Sequence, residues 1–172
     1  ELVGIITKLD LWTKRTQSSP FRPALIKFMY MHPTDSVNFL LNHPDDYNYS
    51  QIFYSAIKDS NGSILLNEFN QSENISAFID LLLHHRSNSE KMGLRITFLK
   101  ILIHSMNQLG TNFSIPHKIK FVLSAIISGA APLDASKEMI SSSGEECELV
   151  LDLAFCYLNY NSSDLDILIS VI

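Results

Sequence analysis

SNSEKMGLRITFLKILIHSMNQLG, residues 87–110, is the stretch whose reading decides the fold class. Ser87-x-x-Glu90 has the form of a capping box, in which a hydroxyl and a carboxylate satisfy two N–H groups that a helix start leaves without partners. Gly110 suits a helix stop, because glycine tolerates the backbone turn that ends a helix. Between them, Met92, Ile96, Leu99, Ile103 and Met106 step along one face, and Leu94, Phe98, Ile101 and Leu102 widen it. Lys100, His104 and Gln108 leave only a narrow polar line. This is the helical period and not the alternation of a strand. The spacing predicts a helix over 88–109. An apolar belt that wide predicts burial on two sides, as in an interior layer.

The same phase recurs outward in both directions. Leu25, Phe28 and Met29 follow Pro23, a residue suited to a first helical turn. His32-Pro33 and His43-Pro44 break the chain, since the residue before a proline is pushed out of helical backbone. Thr34 is expected to cap a helix carrying Val37, Leu40 and Leu41, and Ser50 one carrying Phe53, Ala56 and Ile57. Asn61-Gly62 marks a turn before Leu65, Leu66 and Phe69. Ile75, Phe78, Ile79, Leu82 and Leu83 form a further stripe, closed by His84-His85-Arg86, whose charges would complement a helix C-terminus. Beyond Gly110, one helix is expected after Pro116, a weaker one over 132–141, one opened by Ser143-x-x-Glu146, and a last one after Asn161. With the phase already present at Leu2, Ile5, Ile6 and Leu9, the reading is all-α: a HEAT-like α-solenoid segment of about eleven short antiparallel helices over 1–172. Both ends stop in helical phase, so a piece of a longer chain is expected.

Hydrophobic residues make up 46% and charged residues 18%, too apolar for an acidic disordered tail. Residues 1–120 hold 12 Lys/Arg against 10 Asp/Glu, whereas 121–172 hold one lysine against eight acids. The acidic end repels nucleic acid and is expected to prefer basic protein surfaces. The basic group Lys8, Lys14, Arg15, Arg22 and Lys27 is thin enough to be a solvated helix face. Cys147 and Cys156 stand nine residues apart in one helix, hence on opposite faces, too far to pair. Both read as small core residues in a reducing compartment. Six Asn-x-Ser sequons raise secretion as an alternative, but a chain rich in Asn and Ser produces them by chance. No run of 18 apolar residues exists to span a membrane.

A search for chemistry yields little. His84 and His85 are adjacent and diverge on a helix, no His-x-x-x-His occurs, and neither cysteine has a partner at ligand spacing. There is no Gly-x-Ser-x-Gly elbow and no glycine-rich phosphate cradle. Cys147 near a helix start is surrounded by Glu145, Glu146 and Glu148, which oppose a thiolate. Asp45-Asp46 and Asp164–Asp166 read as caps. No enzyme activity, cofactor, metal or small-molecule substrate is expected. Tyr47, Tyr49 and Tyr54 cluster near a turn and are the candidate aromatic rim of a peptide-binding groove. Glu145, Glu146 and Glu148 are the candidate acidic contacts.

One stretch carries a resemblance. Phe21-Arg-Pro-Ala-Leu-Ile-Lys-Phe-Met-Tyr-Met-His-Pro-Thr-Asp-Ser-Val-Asn-Phe-Leu-Leu-Asn-His43, continued by Gln51-Ile-Phe-Tyr-Ser-Ala-Ile-Lys-Asp59, resembles the HEAT region of the transformation/transcription-domain-associated protein family. These are very large pseudokinase scaffolds of the phosphatidylinositol-3-kinase-related class. The resemblance implies a non-catalytic helical scaffold in a nuclear histone acetyltransferase co-activator complex, docking activators or other subunits. It carries over no catalytic residue, because the matching positions are packing positions. The alternative is a regulatory helical domain of an active large kinase or other enzyme.

Overall fold

The computed structural model describes residues 21–85, 91–110 and 144–160. Among them there are seven α-helices and no strand: α1 Phe21–Met31, α2 Pro33–Asn42, α3 Tyr47–Lys58, α4 Ser63–Phe69, α5 Ser72–His85, α6 Met92–Leu109 and α7 Gly144–Tyr160. The all-α reading holds. The count of eleven does not: the structure supports seven, and the other four expected helices fall outside the described residues. The chain divides into two compact units, 1–74 and 75–172.

In the first unit the two His-Pro pairs set the element boundaries. His32 (φ −134°, ψ 62°) and His43 (φ −127°, ψ 58°) both leave helical backbone, as a following proline requires. Each ring stacks back on the phenylalanine four residues earlier, Phe28–His32 at 4.6 Å and Phe39–His43 at 4.0 Å between centroids. Phe-x-x-x-His-Pro is thus used twice as a helix terminator. Thr34 is not the cap expected of it. Pro33 occupies the first turn, where its missing N–H is no loss, and Thr34 lies inside α2. Ser50 is displaced in the same way. Asp46 Oδ1 accepts the Tyr49 N–H at 2.9 Å and starts α3 a turn earlier. A carboxylate at that position also meets the positive end of the helix dipole. Ser50 is buried and donates to the Asp46 carbonyl.

The core of this unit is Leu25 and Met29 from α1, Val37 and Leu40 from α2, Phe53, Ala56 and Ile57 from α3, and Leu65 and Phe69 from α4. The Phe53 and Phe69 rings meet at 5.8 Å. Gly62 lets α4 pass under α3: a Cβ there would lie 2.5 Å from the carbonyl oxygens of Ala56 and Ile57.

The second unit is built on α6. Leu94 to Leu99, Ile101, Leu102, Ser105 and Met106 are buried, while Lys100 and His104 are half-buried and Gln108 is exposed, so the two-sided burial and the polar line stand as read. Gly110 ends α6 at φ 54°, a backbone state that favours glycine. Lys91 precedes the helix with no side-chain cap; Ser87 and Glu90 lie outside the described residues. Phe98 packs on Phe78 of α5 at 4.6 Å, and Val150, Leu153, Ala154, Tyr157 and Leu158 of α7 complete the core.

A buried ion pair crosses this apolar seam. Arg95 Nε donates to Glu146 Oε1 at 2.8 Å and Arg95 Nη2 to Glu146 Oε2 at 3.0 Å, with the two side chains 6% and 10% exposed. Arg95 Nη1 also reaches the His85 carbonyl at 3.4 Å, an acceptor at the C-terminal end of α5. His84 and His85 lie in the last turn of α5 as read, Arg86 lies outside the described residues, and Arg95 adds a cation at that terminus. The His85 ring is buried, edge-on to Phe98. Arg95→Ala is expected to destabilise the second unit by about 3–5 kcal/mol, because it strands a buried carboxylate. An Arg95→Met/Glu146→Leu double variant is expected to recover most of that loss. Urea unfolding of both variants checks the pair.

Candidate protein-interaction site

Within the first unit, α1 and the α3–α4 connection flank an open groove of ≈ 780 Å³. Its apolar members include Ile26, Tyr30, Met31 and Ile64, and Arg22, Lys27 and Asp59 stand among them. Met31 and Ile64 are 67% and 57% exposed, two of the large apolar side chains that the fold leaves in water. Arg22 is held at the groove by Ser55, 2.6 Å from its Nη2. Tyr30 donates its hydroxyl to the Ala56 carbonyl at 2.9 Å. Partial burial, then the charge and hydrogen bond of Asp59, push its pKa up to about 12. The groove thus joins an apolar floor to a fixed phenol, two cations, Arg22 and Lys27, and the Asp59 carboxylate.

The residues expected from sequence fall elsewhere. Tyr47, Gln51, Tyr54 and Lys58 form an outer stripe on α3, with Gln51 donating to the Tyr47 hydroxyl at 3.2 Å and the Lys58 ammonium 5.3 Å from the Tyr54 ring. Tyr47 is exposed and Tyr54 half-buried. Tyr49 is corrected: it is buried, tilted against Phe39, and donates to the Ser36 carbonyl at 2.9 Å. Burial pushes its pKa well above the ordinary tyrosine value. It pins α3 to α2 and has no surface to offer.

On α7, Glu145 and Glu148 are exposed. Glu145 takes the Lys100 ammonium at 2.6 Å, whereas Glu146 is buried on Arg95 and is no partner contact. Cys147, read as a core residue, is exposed; only Cys156 is buried. Their spacing already put them on opposite faces of one helix, and only one face can be inward. Burial raises the Cys156 thiol pKa, its Sγ lying 3.1 Å from Asn107 Oδ1. Ser143, Asp164, Asp166, Lys8, Lys14 and Arg15 lie outside the described residues. Among the described residues no three His, Cys, Asp or Glu come together as a metal site, and no helix is long and apolar enough to cross a membrane.

Over residues 1–172 the chain matches the Tra1 HEAT repeat ring region. It belongs to the Tra1 ring family. The resemblance carried by Phe21–His43 therefore holds, and it extends to the whole chain. No curated protein and no solved structure matches the chain. Membership of the Tra1 ring family makes this segment part of a HEAT-repeat helical scaffold, of the type that generally mediates protein–protein contact.

What sequence reasoning missed was the groove. Ile64 and Met31 each sit just outside the phase of their own stripes, Leu65/Leu66 and Leu25/Met29, and that offset was the available signal. A spectrophotometric titration of Tyr30, taken as the difference between the chain and its Tyr30→Phe variant, is expected to show ionisation near pH 12. Asp59→Asn is expected to move it down. Because the folded pKa is raised above the ordinary value, the contribution of Tyr30 to stability is complete below pH 10 and is lost as pH climbs toward 12.

Proposed function

We propose that this segment is a non-catalytic docking element of a nuclear histone acetyltransferase co-activator complex, holding partner proteins in the α1/α3–α4 groove. The observation that carries the reading is the joint exposure of Met31 and Ile64 at one groove of a HEAT-repeat scaffold. Solvent-facing apolar side chains gathered in a concavity are suited to receive an apolar anchor, and helix-in-groove recognition uses such anchors. Lys27 and Asp59 then orient the incoming segment, since rim charges set register more than affinity. Tyr47 and Tyr54 offer a second, flatter contact on α3. Membership of the Tra1 ring family supports the co-activator assignment and a role in transcription regulation at chromatin.

The test uses the full-length parent protein. Met31→Asp/Ile64→Asp is expected to lose at least one subunit or activator that co-purifies with the wild type, at an unchanged melting temperature. Both side chains are already in water, so the fold does not depend on them. An identical partner set would overturn the groove assignment. Exclusion of the tagged parent from nuclei, or its absence from acetyltransferase-active fractions, would overturn the complex assignment.

A further inference from the structure

A second surface, on α7, is independent of the groove. Gly144, Glu148, Asp152, Phe155 and Asn159 are all exposed. From Glu148 onward they step by four, three and four residues, which returns nearly to the same azimuth after three turns. They form one straight stripe along the outside of the helix. Its spacing is that of a seam between packed helices. Phe155 is 55% exposed at its centre, and a Cβ added at Gly144 would meet nothing within 4 Å.

The carboxylates of α7 divide into two kinds. Glu145 and Glu146 sit in the first turn, where the dipole favours them, and each has a cation: Lys100 for Glu145 and Arg95 for Glu146. Glu148 and Asp152 lie beyond that turn, one turn apart on the same side as Phe155. Like charges at this spacing repel and weaken the helix. Among the described residues, neither capping, the dipole nor a counter-charge across the seam accounts for them.

We propose that the outer face of α7 docks a basic amphipathic helix from a partner protein. The partner presents Lys or Arg one turn apart to Glu148 and Asp152, and a large apolar residue one turn further on to Phe155. Charge selects this occupant. Gly144–Tyr160 contains four acids and no Lys or Arg, so a second copy of this face, or a nucleic acid, meets like charge.

Fluorescence anisotropy with the full-length parent tests this, using two labelled helical peptides. One carries Lys at i and i+4 and Leu at i+7; the other carries Glu at i and i+4. The lysine peptide is expected to bind in preference, and to weaken as salt shortens the screening length. Glu148→Lys/Asp152→Lys is expected to weaken the lysine peptide by about tenfold or more and to admit the glutamate peptide. Phe155→Ala is expected to weaken it by about fivefold, at an unchanged melting temperature. Equal binding of the two peptides, indifference to the charge reversal, or no saturable binding would each overturn the proposal. So would a loss of self-association on Phe155→Ala, which would give the face to a second copy.

Discussion

Short helices cannot stand alone in water. An isolated helix below about 12–15 residues is marginal even with good propensity. Five of the seven described helices have 14 residues or fewer, and α4 has seven. Each must bury its apolar stripe on a neighbour, and the rest of the structure follows from that need. In the first unit the stripes meet at Met29, Leu40, Phe53 and Phe69. In the second, α6 is apolar around so much of its girth that both α5 and α7 find a face on it.

Hydrophobic burial is non-directional, so polar groups supply the register. Tyr49 ties α3 to one carbonyl of α2 through a single buried hydrogen bond. The bidentate Arg95–Glu146 pair aligns α6 and α7 across 51 residues of chain. Such a pair adds little net stability over an apolar match, but breaking one half of it is severe. Its geometry ties α7 to one alignment with α6. The acidic outer stripe of α7 is then a consequence of which Glu the arginine takes inward.

The surfaces proposed for partners are what this packing leaves uncovered. Met31 and Ile64 remain in water at one groove, and Phe155 remains in water on one helix face. They differ in chemistry: the groove holds Arg22 and Lys27 with Asp59 beside its apolar floor, whereas the α7 face is purely acidic around its aromatic. On the two proposals made above, surfaces so unlike would distinguish partners by charge.

Period and punctuation were legible in the residues. The stripe from Met92 to Met106, the His-Pro breaks and the Gly110 stop determined an all-α chain of short helices, because phase and backbone restriction act within a few residues. The motif over Phe21–His43 determined the family. Caps were legible only in kind: Asp46 displaced Ser50 because a carboxylate serves the same N–H groups and the dipole as well. Which aromatic and which glutamate face outward was decided by tertiary structure alone. Tyr49 and Glu146 went inward because Ser36 and Arg95, distant in sequence, offered buried partners. Solvent exposure is a property of the packed pair of faces, and a local pattern holds no record of the distant face that will cover it.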